Sequence, residues 1–182
     1  MPPVISRRLF AAAMIAFTGA GTARADDCAG THEIDRCLVG TWKMTTNGME
    51  QWMHTHIRKF SVTSVQTTDN TITLKADGSF ATGNAKVTTR GVGDNGMSGT
   101  GTMNGRASGA WSAAAGKFNL CARAGSMNGT ATVTGRGHST TIPLHPTVPP
   151  VSSRTYACAS STFTISQPLH GDTVVSTYTK LP

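Results

Sequence analysis

The sequence predicts an all-β protein, a single up-and-down β barrel with one short amphipathic helix after its first strand. Three observations carry that expectation. From Thr71 onward apolar and polar residues alternate with a period of two, and threonine, serine, valine and glycine dominate, which is the pattern of half-buried strands. Turn dipeptides punctuate the alternation at short intervals, among them Asp77-Gly78, Asn95-Gly96 and Asn104-Gly105. Only one stretch, Met49 to Phe60, carries a helical period. Many short strands with regular turn signals and no internal repeat favour a closed barrel.

The first 25 residues are set aside from the fold. Arg7 and Arg8 precede an apolar run from Leu9 to Phe17, and Ala23-Arg24-Ala25 offers small residues at the cleavage positions, so residues 1–25 read as an export signal peptide. Ser6-Arg7-Arg8-Leu9-Phe10 resembles the twin-arginine export motif, with an ordinary Sec signal as the alternative. The apolar run falls short of the about 20 residues needed to cross a bilayer. Nothing later approaches that length, so no membrane span is expected in the mature chain. Residues 26–182 suffice for one self-supporting core and are short for two. The expected location is periplasmic or secreted.

Without Arg7, Arg8 and Arg24 the formal charge falls from +7 to +4. The remaining cations are scattered and are not interleaved with aromatic residues, which argues against nucleic acid as a partner. All four cysteines, Cys28, Cys37, Cys121 and Cys158, fall in the exported part, where an oxidising compartment and an even count favour disulfides. Three pairings exist. The preferred one is Cys28 with Cys37, tying the N-terminal arm to the first strand, and Cys121 with Cys158, joining two late strands. The close CxxC-like pairs of a zinc site are missing.

Taken in order, residues 26–36 form a polar arm. In Cys37-Leu38-Val39-Gly40-Thr41-Trp42-Lys43-Met44, strand geometry puts Leu38, Gly40, Trp42 and Met44 on one face. Trp42 is expected at the barrel floor. Asn47 can cap the helix, Glu50 follows three residues later, and Met49, Trp52, Met53, Ile57 and Phe60 recur at helical spacing. Ile72 and Leu74 alternate with polar residues before Asp77-Gly78, which leads into a second strand from Ser79. Met97 to Met103, bracketed by the two Asn-Gly pairs, has Gly99 and Gly101 on the methionine face, and such small residues indicate tight curvature or room for contents. Separate strands follow up to Trp111, from Lys117 to Arg123 with Cys121 facing away from the apolar side, and from Met127 to Thr134. His138 to Ser153 holds four prolines and reads as a long surface loop. Arg154 to Ala159, Thr162 to Gln167 and Asp172 to Leu181 complete the set.

The order of these pieces resembles the calycin superfamily, in particular the secreted bacterial lipocalin-like domains. The residues concerned are Gly40-Thr41-Trp42 in the first strand, the helix after it, the turn Asp77-Gly78-Ser79-Phe80, and the late Tyr156-Ala157-Cys158. The resemblance implies a lipocalin-like barrel. The clear second and third motifs of true lipocalins are missing, which puts a transport role in doubt.

For function, two readings follow. In the first, the barrel binds a small apolar molecule. Met44, Met49, Trp52, Met53, Ile57, Phe80 and Trp111 are the candidate ligand-binding residues, the helix acting as a lid whose sulfur and aromatic groups adapt to a guest. The bland alternative is that this helix stripe simply plugs the barrel. In the second, the protein is an interaction module, such as an inhibitor of a secreted hydrolase, probing its partner with the arm or the proline-rich loop. Catalysis is disfavoured, because there is no Gly-x-Ser-x-Gly elbow and acids are few, so no catalytic residue is named. His54-Thr55-His56 would grip a metal on a strand, but the two rings diverge on a helix, so no metal and no cofactor are expected.

Overall fold

Trp42 is fully buried, and the strands close around it. The structure is a computed structural model that describes residues 33–56, 60–93, 96–148 and 151–182. The export signal read over residues 1–25, together with Cys28 and Ile57, lies outside the described residues. A 3-10 turn (Arg36–Leu38) leads into β1 (Gly40–Thr46) and α1 (Gly48–His56). The remaining strands are β2 (Phe60–Thr68), β3 (Thr71–Leu74), β4 (Ser79–Thr82), β5 (Ala85–Gly93), β6 (Ser98–Ala114), β7 (Lys117–Gly135), β8 (His138–Leu144), β9 (Val151–Cys158), β10 (Thr162–Leu169) and β11 (Asp172–Lys180).

Eight strands form a closed antiparallel ring in the order β1, β3, β4, β6, β7, β9, β10 and β11, with β11 returning to β1. Each ring strand pairs with the next ring strand along the chain, as the alternation predicts for an up-and-down barrel. The other three strands lie outside the ring. Here β6 and β7 run on past it, and β5 then β2 add to the free side of β6 while β8 adds to β7. The result is a five-stranded open sheet continuous with the barrel wall.

The seam between ring and extension has a local cause. Ser108 pairs with Ala124 but Gly109 pairs with Ala122, so Arg123 bulges out of the ladder. A bulge bends its strand and raises the local twist. Gly109 is required there, since a Cβ would collide with the Cys121 carbonyl. Asn104-Gly105, expected as a turn, is instead extended and paired on both sides, Gly105 with Ala85 and with Met127. The segments expected as separate strands therefore merge into the single long hairpin β6–β7. The turns that join β6 to β7, β7 to β8 and β10 to β11 are Ala115-Gly116, Arg136-Gly137 and His170-Gly171, where both residues have positive φ. That is the left-handed two-residue hairpin geometry.

Three further expectations are corrected. The stretch from His138 to Ser153 is not one loop. Its first half is β8, where Pro143 is tolerated because β8 is an edge strand and proline need not donate outward. The described helix is Gly48–His56, and Phe60, expected on the helix, belongs to β2. The helix start is as expected, with Asn47 Oδ1 accepting the Met49 N–H at 3.1 Å. The preferred disulfide pairing fails, since Cys37 is bonded to Cys158. Cys121 is also disulfide-bonded. The Cys37–Cys158 bridge pins the 3-10 turn under the end of β9, where Leu38 enters the floor of the barrel.

The core contains Leu38, Trp42, Leu74, Trp111, Phe118 and Phe163, each almost wholly buried. Trp42 donates Nε1–H to the Leu38 carbonyl at 2.7 Å and meets Phe163 edge-on at 4.8 Å between centroids. Phe163 stacks on Tyr178 at 4.5 Å. Trp111 satisfies its own Nε1–H on the Lys75 carbonyl at 3.0 Å. Both indoles thus bury their large apolar area without leaving a donor unpaired.

The Cys37–Cys158 bridge spans 121 residues of sequence, so it removes much freedom from the unfolded chain. Replacing both cysteines by serine is expected to lower the unfolding free energy by about 2–5 kcal/mol. Denaturant melts of the variant against the wild type, both without reductant, check it.

Candidate functional site

The site follows from the bend at the seam. Where the wall leaves the ring, the inner face of β6 and β7 separates from the strands opposite, and a cavity of about 230 Å³ opens. Its walls are largely apolar: Phe80 from β4, Val87 from β5, Met103 from β6, and Leu120, Ala122 and Met127 from β7. Alternation delivers these residues, because Leu120 and Ala122 share the inward face with buried Phe118, and Met103 shares it with Ala107. Pro146, Thr147 and Val148, between β8 and β9, fold over one side. At about 230 Å³ the space is smaller than the roughly 300–1,000 Å³ of drug-sized pockets. It suits a compact guest.

The polar groups are few. Asn70, Thr82, Asn104 and Ser152 reach the cavity, as do two cations, Arg106 and Arg154. Thr82 is already committed, its Oγ1 accepting the Ala107 N–H at 2.8 Å, and Asn70 donates to the Met44 sulfur at 2.9 Å. Arg106 is exposed at the margin. Arg154 is different. It lies on β9 opposite Phe118 of β7, on the inward face with Ser152 and Tyr156. Its side chain is part-buried and lines the cavity. Among the described residues it has no hydrogen bond from its side chain and no carboxylate partner. Burial pulls its pKa below the usual guanidinium range, while nearby Tyr178 pushes it back.

Both tyrosines are held neutral. Burial pushes Tyr178 up to about 12, Arg154 opposing the shift. Tyr156 also rises to about 12, through burial first, then its hydrogen bond to Asp35 and the charge of that carboxylate. Tyr156 donates its hydroxyl to Asp35 Oδ2 at 2.8 Å, and Asp35 Oδ1 accepts the Cys37 N–H at 2.9 Å. This carboxylate is therefore occupied at the barrel floor, one inward position beyond Arg154.

Of the described residues expected to bind a ligand, Phe80 alone lines the cavity. Met44 and Trp111 belong to the barrel core, Met44 at its edge. Met49, Trp52 and Met53 form a second cluster with Val62 of β2 and with Leu169 and Val174 at the end of the β10–β11 hairpin. There the Trp52 ring stacks against His56 at 4.9 Å and against His170 at 5.7 Å. His56 Nε2 meets Asp172 Oδ2 at 2.7 Å. His54 and His56 do not converge on a common point, His56 being turned to the β10–β11 turn. Among the described residues no group of three or more histidine, cysteine, aspartate or glutamate side chains could hold a metal ion.

Sequence reasoning missed Arg154, which it counted among scattered surface cations. A signal existed: Arg154, Tyr156 and Cys158 share a phase, so an arginine stood on an apolar face. The chain matches no family model, no curated protein and no solved structure, so its function is read from its own residues.

The neutral tyrosines set an alkaline limit. A phenol whose folded pKa lies near 12 against about 10 when unfolded favours the fold fully below pH 10, and that contribution is lost as pH rises through 12. Denaturant midpoints are expected to be insensitive to these groups at pH 8–9 and to fall steadily from pH 10 to 12. Tyr156 and Tyr178 are the chain's only tyrosines, so tyrosinate absorbance should rise together with unfolding.

Proposed function

We propose that this is an exported, non-enzymatic β-barrel protein that binds a small apolar molecule in the seam cavity. The observation that carries the reading is a preformed space with Phe80, Met103, Leu120, Ala122 and Met127 around it, inside a disulfide-stapled barrel. Apolar concavities with a few placed polar groups are where small ligands bind. Among the described residues the cavity lining includes no histidine, cysteine, aspartate or glutamate, so the Ser152 hydroxyl has no general base beside it in the lining. That supports binding over turnover. We take the barrel as calycin-like, with which its eight-stranded antiparallel ring is compatible. A periplasmic or secreted location agrees with the signal-like residues 1–25, with the disulfide, and with no helix among the described residues being long and apolar enough to cross a membrane.

The alternative, an inhibitor that probes a hydrolase with its proline-rich loop, has less support, because Pro146, Thr147 and Val148 are engaged as cavity wall. Filling the cavity tests the binding reading. Ala122→Phe should weaken binding of a neutral apolar fluorescent probe by at least about tenfold, roughly 1.4 kcal/mol. It should also remove any small molecule that native mass spectrometry finds on protein purified from its own host. Full probe affinity in a folded Ala122→Phe protein, judged by its thermal transition, would sink the proposal.

A further inference from the structure

We propose that β2 is a docking edge for a second copy of this chain, the two β2 strands pairing antiparallel about a two-fold axis at Gln66 so that the two open sheets become one. The inference is independent of the cavity and goes beyond the binding reading.

The five-stranded extension ends in β2 on one side and β8 on the other, and a sheet edge leaves backbone donors and acceptors without partners. One of these edges is blunted. The turn Arg136-Gly137 makes Gly135 and His138 the closing pair of the β7–β8 hairpin, so alternation turns the backbone of Ser139, Thr141 and Pro143 outward, where Pro143 has no N–H to offer. The other edge has no such guard. From Phe60 to Thr68, β2 contains no charged residue, no proline and no glycine. A bulge between Val62 and Ser64 interrupts its start, which leaves Ser64 to Thr68 as its regular stretch.

The ladder decides which groups of β2 face out. Gly93 donates its N–H to the Met97 carbonyl at 2.7 Å, so alternation turns the backbone of Arg90, Thr88 and Lys86 away from β6 and toward β2. Their bonded partners are Ser64, Gln66 and Thr68. Val65 and Thr67 therefore aim their N–H and carbonyl groups at the free side, and among the described residues those groups meet no partner. Gln66 and Thr68 are exposed, and Val65 is only half-buried beside the cluster of Met49, Met53 and Val62.

The edge itself selects the occupant. Outward backbone groups at every second residue are matched by another extended strand. An uncharged strip gives a charged segment nothing to select, yet it can lie opposite its own copy without repulsion. Because β8 is blunted, copies cannot chain β2 onto β8 into a filament. The contact is therefore self-complementary and closes at two. Centred on Gln66, the two-fold lets Val65 exchange both of its backbone bonds with the partner's Thr67, and the reverse. A strip this short makes a small interface, so the dimer is weak and depends on concentration.

Sedimentation equilibrium of the whole mature protein over a concentration series is expected to show reversible exchange between monomer and dimer, with nothing larger. Thr67→Pro removes an outward N–H from both copies and spares the bonds to β5, so dimer affinity should fall at least about tenfold. Thr67→Val, which keeps the backbone donor, should associate like wild type. Charge tests the register separately. Gln66→Lys and Gln66→Glu each set like charges opposite one another and should lower dimer affinity, while an equal mixture of the two should recover it. Thermal transitions check that each variant is folded, and should Thr67→Pro not fold, the two Gln66 variants carry the test. A wild type that stays monomeric up to about 1 mM, or a dimer untouched by Thr67→Pro and by both charges, overturns the proposal. So does a mixture of the two Gln66 variants that associates no better than either alone.

Discussion

The long antiparallel hairpin of β6 and β7 is the constraint on which the rest depends. Its lower part belongs to the ring, and the pairing of these two strands joins the ends of a sheet that otherwise runs from β6 through β1 to β7. Its upper part carries β5 and β2 on one side and β8 on the other. A sheet that must close below and stay open above cannot keep one curvature, and the change is concentrated where Arg123 drops out of register. The cavity sits at that change. It is the volume left where two curvatures meet, lined by the inward residues of strands that have begun to diverge.

That geometry also explains how much was legible. Period-two alternation identifies faces, and it placed Trp42, Leu74 and Phe118 inside, where they are. It says nothing of where a strand stops. Asn104-Gly105 has turn chemistry, yet ladder bonds to β5 and β7 on both sides outweigh local preference, and the strand runs through. Conversely Ala115, Arg136 and His170 adopt positive φ without being typical turn formers, because a following glycine and two long strands impose the hairpin. Local signals lose to extended pairing in both directions.

The disulfide and the helix illustrate two other limits. Sequence proximity favoured Cys28 with Cys37, but pairing is decided by which strand ends meet in space. Cys158 ends β9 near the 3-10 turn only because β9 lies between β7 and β10 in the ring. For α1 the amphipathic face was correctly identified and its partner was not. Met49 and Met53 point at an apolar surface, though the surface is Leu169 and Val174 at the tip of β10–β11, with Val62 of β2. Gly48 lets α1 start against the β11 backbone, where a Cβ would strike the Val175 carbonyl.

This placement of α1 determines where open space is left in the interior. The helix fills its end of the molecule by packing and is fastened to the β10–β11 turn by His56 with Asp172 and by the Trp52 stack. At the other end Leu38, Trp42 and the Cys37–Cys158 bridge close the floor. With both ends committed to packing, the cavity lies at the side, beside Pro146, Thr147 and Val148 and next to exposed Arg106. The methionines of the helix, which resemble a lid in sequence, are instead part of a packed cluster.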